Sequence, residues 1–123
     1  MTKTVFVVDD EQRIADTLVA ILNNNGYRAI AFYDAQSALN KVPVEHPELV
    51  ISDVVMPGMS GTEMAVLITE LCPQCKILLF SGQAATADLL RVVREKGYNF
   101  ELLAKPVHPA DLLAKVGKIG QSA

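Results

Sequence analysis

The sequence predicts an α/β fold: a doubly wound, five-stranded parallel sheet built as (βα)5. Three observations predict it. Five short apolar runs alternate with five longer segments of helical apolar spacing. Gly, Pro and Asn punctuate the junctions between them. Strands that alternate with helices in this way form a parallel sheet covered on both faces.

The elements follow in order. The first strand is the run near 4–8, Thr4-Val5-Phe6-Val7-Val8. In the first helix, Ile14, Leu18, Ile21 and Leu22 recur at i, i+4, i+7 and i+8. Asn23-Asn24-Asn25-Gly26 ends it, and Gly26 suits a left-handed cap. The second strand is read near 28–32, and Asp34 caps a short second helix running to about Lys41. Pro43 and Pro47 bracket a loop before the third strand, near 49–52. Pro57, Gly58 and Gly61 mark a turn-rich loop. A third helix with Met64, Leu67, Ile68 and Leu71 on one face follows it. The fourth strand lies near 77–80, and the fourth helix carries Leu89, Val92 and Val93. Lys96-Gly97 closes that helix, with its charge suited to a C-terminus. The fifth strand is read near 100–104. Pro109 fits the first turn of a fifth helix carrying Leu112, Leu113, Val116 and Ile119.

Residues 1–123 are read as one domain, large enough to bury a core, with no repeat, linker or output domain. Half of the residues are hydrophobic, which argues against disorder. A net charge of -3 without a basic run leaves nucleic-acid binding unsupported. No apolar stretch approaches the roughly 20 residues that span a bilayer. The early acidic pair Asp9-Asp10 does not suit a secretory signal. A cytoplasmic location is the expectation, with no membrane partner.

Cys72-Pro73-Gln74-Cys75 is a CxxC sequence, a spacing shared by redox pairs and half zinc sites. Here it follows a helical pattern and precedes a strand, whereas a thioredoxin-like pair opens a helix. Structural cysteines are the expectation, responsive to oxidation where a thiol is exposed. His46 and His108, both beside prolines in loops, are not read as ligands or phosphoacceptors.

Four apolar runs stop at residues that carry chemistry. The first stops at Asp9-Asp10, the third at Asp53, the fourth at Ser81 and the fifth at Lys105-Pro106. In a parallel sheet these side chains emerge at the carboxyl edge, where open α/β sheets place their sites. An adjacent Asp pair is by itself often only a turn and a helix cap. Together with Asp53 it needs an offset, because two carboxylates about 4 Å apart repel by roughly 4 kcal/mol at an effective dielectric near 20. A hard cation such as Mg2+ takes oxygen ligands and supplies that offset, and the Lys105 ammonium supplies part of it. Asp53 is then a candidate nucleophile toward phosphorus. Lys105, Ser81 and backbone amides near Gly82 and Gly58 are candidate partners for phosphoryl oxygens.

In these motifs the chain resembles the receiver domains of two-component response regulators. The resemblance is carried by Val7-Val8-Asp9-Asp10-Glu11, by Ser52-Asp53-Val54-Val55-Met56-Pro57-Gly58-Met59-Ser60-Gly61, by Phe80-Ser81-Gly82 and by Leu103-Ala104-Lys105-Pro106. It runs from about Thr4 to Ile119. It implies a flavodoxin-like or CheY-like sheet of order 2-1-3-4-5 and a phosphorelay function. Asp53 would accept a phosphoryl group from the phosphohistidine of a sensor kinase or phosphotransfer protein. Mg2+ would be bound by Asp10, Asp53 and the Val55 backbone carbonyl, with Asp9 assisting. Ser81 would be the switch hydroxyl, Lys105 would pair with Asp53, and the peptide before Pro106 would be cis. Output would pass by binding to a partner, or to a second copy through the fourth helix, fifth strand and fifth helix. Such a domain modifies itself and is not a turnover enzyme.

The chain departs from the family pattern at Leu102, where receivers usually carry an aromatic residue, with Tyr98 and Phe100 nearby. Val55 and Gln83, each two residues after a site residue, carry no strong acid or base, which predicts a long-lived acyl phosphate. Three other readings compete. A degenerate receiver that only binds partners is disfavoured by the complete set of site residues. A haloacid-dehalogenase-type phosphohydrolase would carry an aspartate where Val55 stands. A flavodoxin-like electron carrier would not place Asp9-Asp10-Glu11 against a flavin phosphate.

Overall fold

The computed structural model describes residues 2–82 and 86–121, without the side chains of Thr86 and Gln121. Strands and helices alternate from end to end. They are β1 (Thr4–Val8), α1 (Gln12–Asn23), β2 (Arg28–Phe32), α2 (Ala35–Glu45), β3 (Leu49–Asp53), α3 (Gly61–Leu71), β4 (Lys76–Ser81), α4 (Thr86–Glu95), β5 (Glu101–Ala104) and α5 (Pro109–Gln121). The strands form one parallel sheet in the order β2-β1-β3-β4-β5. The predicted fold class and strand order hold.

Every residue of β3 is buried, as expected of a central strand covered on both faces. The two-residue period of each strand divides the core into two layers. Phe6, Val8, Val50 and Leu79 face α2, α3 and the α4 residue Leu90. Val5, Val7, Ile51, Leu78 and Phe80 face Ala15, Leu18 and Leu22 of α1, and Leu112, Val116 and Ile119 of α5.

Local chemistry fixes the helix ends. The Asp34 carboxylate accepts from the Ser37 N–H at 2.7 Å and caps α2. Ser60 and Glu63 form a reciprocal capping box at the start of α3. Gly26, Gly58 and Gly97 take positive φ at the turns.

One boundary differs from the sequence reading. α2 does not stop near Lys41; it carries Pro43 within it and runs to Glu45. Proline removes one backbone bond and disfavours a helix interior. Here Val42 is fully buried, and Glu45 reaches Arg28 of β2 at 3.1 Å. Tertiary packing outweighs the local penalty. The helix ends instead at His46, a non-glycine residue in the left-handed region at φ 49. Strand ends also extend beyond the apolar runs, so that Asp53 and Ser81 are the last residues of β3 and β4.

Candidate functional site

The site is built at the carboxyl edge of the sheet, where β1, β3, β4 and β5 end together. Parallel register aligns those ends: Val8 pairs with Ser52, Asp53 with Phe80, and Ser81 with Ala104. Asp9 and Asp10 follow β1, Asp53 ends β3, Ser81 ends β4 and Lys105 follows β5. A cleft of about 470 Å³ opens there, lined by Asp10, Glu11, Asp53, Val55, Gly82 and Lys105 among others.

Asp53 lies at the centre, with its side chain 12% exposed. One carboxylate oxygen, Oδ2, accepts a short charge-assisted bond from Lys105 Nζ at 2.6 Å. The other, Oδ1, accepts a long bond from the Val55 N–H at 3.3 Å. The Lys105 stem passes directly over Gly82, where a Cβ would lie 2.7 Å from that of Lys105. The Lys105–Pro106 peptide is cis. Ser81 is half-buried at the end of β4.

The carboxylates gather at this edge but occupy different depths. Asp10 is exposed on the rim, whereas Asp9 is buried. Asp9 Oδ1 accepts from the Glu11 N–H at 2.9 Å, so this residue does form the turn into α1. Its other oxygen, Oδ2, is buried and has no hydrogen-bond partner among the described residues. Burial raises the Asp9 carboxyl above its ordinary value, and the charges of Asp53 and Asp10 push the same way. The Glu11 N–H and Lys105 oppose the rise.

This all-oxygen donor set, with one orphaned carboxylate oxygen beside Asp53, fits a hard divalent cation. Among the described residues, no three His, Cys, Asp or Glu side chains already converge to hold a metal.

Two supporting residues gave little sign in the sequence. Ser52, fully buried within an apolar strand, donates its hydroxyl to the Asp53 carbonyl at 2.9 Å. Gly61 reads as a loop marker, yet it is the first residue of α3 and packs against the Asp53 backbone. Its N–H donates to the Val54 carbonyl at 2.8 Å.

The other candidates fall away from the cleft. Cys72 caps the end of α3 and Cys75 is buried before β4, both as free thiols. His46 ends α2, and the His108 carbonyl accepts the Leu112 N–H at 2.9 Å in the first turn of α5. Phe100 and Leu102 pack against the core on the α2, α3 and α4 side. The Phe100 ring also stacks on Tyr98, with centroids 5.8 Å apart. Gln83 lies outside the described residues.

The parallel sheet of order β2-β1-β3-β4-β5 thus carries an acidic cleft and a lysine at its carboxyl edge. The response regulator receiver domain family matches residues 5–117. The response regulator receiver protein CpdR of Brucella abortus is 32% identical over 117 residues, covering 95% of this chain and 96% of CpdR. The transcriptional regulatory protein CreB of Escherichia coli is 33% identical over 114 residues, 93% of this chain but 49% of CreB. The chain thus spans about half the length of some of the curated relatives it matches. A CheY-like receiver domain from Methanospirillum hungatei superposes with a TM-score of 0.86 at 30% identity, covering 98% of this chain and 96% of that one. This chain belongs to the response regulator receiver domain family. Membership places it in two-component signalling, implies a histidine kinase partner, and is typically non-enzymatic and Mg2+-dependent. No helix among the described residues is long and apolar enough to cross a membrane.

Proposed function

We propose that this chain is a phosphorylation-controlled receiver in which Asp53 takes a phosphoryl group from a phosphohistidine. The observation that carries the reading is the central carboxylate, sunk at a strand end and held by Lys105 at 2.6 Å. Asp53 Oδ1, held among the described residues only by the long Val55 bond, is the freer nucleophile. Its attack forms the O–P bond of an acyl phosphate as the N–P bond of the donor breaks, and the imidazole leaves with the bonding pair.

Charge then builds on the phosphoryl oxygens. Lys105 gives up its bond to Oδ2 and donates to them, and the Ser81 hydroxyl donates from the neighbouring strand end. Mg2+, when bound, adds positive charge against those oxygens and offsets the repulsion among the carboxylates. Asp10, Asp53 and the Val55 backbone carbonyl would hold it, with Asp9 assisting from behind. Gly82 leaves room for the Lys105 stem beside the incoming group.

The signal leaves by binding. A redistribution of Lys105 and Ser81 acts on β4 and β5. The surface formed by α4, β5 and α5 is the face for an output partner or a second copy.

Incubation with Mg2+ and acetyl phosphate followed by intact mass tests the assignment. The expected result is a gain of one phosphate, absent without Mg2+ and absent in Asp53→Asn. No gain in the parent chain with any phosphodonor would refute it and leave a domain that acts by binding alone.

A further inference from the structure

Cys72 and Cys75 lie at the amino end of β4, the end of the sheet remote from the cleft. They bracket a tight turn, with the Cys75 N–H donating to the Cys72 carbonyl at 3.0 Å and Pro73 at the position that favours such a turn. A closed four-residue turn brings its end Cα atoms within about 7 Å, and disulfides bridge Cα atoms about 4.4–6.8 Å apart. Both side chains belong to one apolar cluster, Cys75 within it and Cys72 packed against it and partly exposed. Cys75 also lines an open cavity of about 370 Å³ between β4 and the Tyr98–Phe100 stack. A small oxidant can therefore meet the partly exposed Cys72 first.

We propose that Cys72 and Cys75 form an oxidant-sensitive dithiol that closes to an intrachain disulfide. The oxidant is a peroxide. The more exposed sulfur, Cys72, attacks one peroxide oxygen. An S–O bond forms, the O–O bond breaks, and the departing oxygen leaves as water after taking a proton. Cys72 is now a sulfenic acid. The Cys75 sulfur then attacks the Cys72 sulfur. The S–S bond forms, the S–O bond breaks, and the oxygen leaves as a second water with the Cys75 proton. In total, two thiols are oxidised and one peroxide is reduced to two waters.

The order of the steps follows from burial. The Cys75 thiol is pushed up to about 12, first by desolvation and then by the charges of Cys72 and Glu48, so at neutral pH it is protonated and the more exposed Cys72 reacts first. The ring closes only four residues, so loop entropy contributes little. The effect is local: the Cys75 thiol gives up its bond to the Lys76 carbonyl at the first residue of β4.

The test uses the full chain, reduced and freed of reductant, then treated with hydrogen peroxide. It is unfolded, alkylated and digested with trypsin. Both cysteines lie between Lys41 and Lys76 and so share one tryptic peptide. The expected peptide is lighter by two hydrogens, carries no alkyl group and is restored by dithiothreitol, while the chain stays monomeric on a non-reducing gel. Cys72→Ser, folded by circular dichroism, should leave Cys75 fully alkylated at the same dose. A peptide carrying two alkyl groups after peroxide would overturn the proposal. Sulfinic acid on Cys72 with Cys75 still alkylated, or bridges only between chains, would do the same.

Discussion

Replacement of Gly61 by alanine tests how closely the third helix must approach the site. A Cβ at this position would lie 2.0 Å from the Asp53 carbonyl oxygen, 2.9 Å from its carbon and 3.0 Å from Ser52 Oγ. Real Cβ contacts are essentially never shorter than 3.0 Å, and the nearest atoms here are backbone rather than a flexible side chain. The two chains must therefore part by about 1 Å, in a packed interior that resists such shifts. Overpacking of this kind costs about 1–3 kcal/mol. Weakening the Gly61 N–H bond to Val54 adds about 1 kcal/mol. The better helix propensity of alanine returns under about 1 kcal/mol. A net loss of about 1–4 kcal/mol in denaturant unfolding is expected. Because the displaced atoms are those of Asp53, the proposed phosphoacceptor, a shift of this size should slow phosphorylation by about 100-fold. The assay is the rate of phosphate incorporation from acetyl phosphate, measured where the variant is fully folded. Parental stability together with a parental rate would refute the reasoning.

Three further perturbations follow. Asp9→Asn removes a buried charge whose pKa is raised, so it should stabilise the chain at neutral pH by on the order of 1–3 kcal/mol. The unfolded state holds that proton less tightly than the native state. The advantage is therefore full above the raised native pKa and fades as pH falls through it toward 3.8, which unfolding curves across pH will show. His46→Gly relieves a left-handed residue at the end of α2 and should add about 0.5–1 kcal/mol in the same assay. Val55, 49% exposed on the cleft, cannot orient an attacking water; Val55→Asn should speed loss of the phosphoryl group by about tenfold. An unchanged half-life of the phosphorylated chain would remove Val55 from that role.

The alternation of elements, and the chemistry waiting at their ends, could be read from residue order alone. Apolar period and turn residues fix both, since side-chain hydropathy and backbone punctuation are local properties of a chain. Parallel pairing then had to carry Asp9, Asp10, Asp53, Ser81 and Lys105 to one edge. The sequence could not show depth. Asp9 and Asp10 are adjacent and chemically alike, yet one is buried with an orphaned oxygen and the other lies on the rim. That difference depends on which side of the β1 end each faces. Nor could it show that α2 runs through Pro43, because the buried Val42 and the Arg28–Glu45 pair that hold it there come from contacts distant in sequence. Gly61 looked like a turn residue for the same reason. Its need for a bare Cα arises only where α3 meets the Asp53 backbone, a contact that the tertiary structure alone creates.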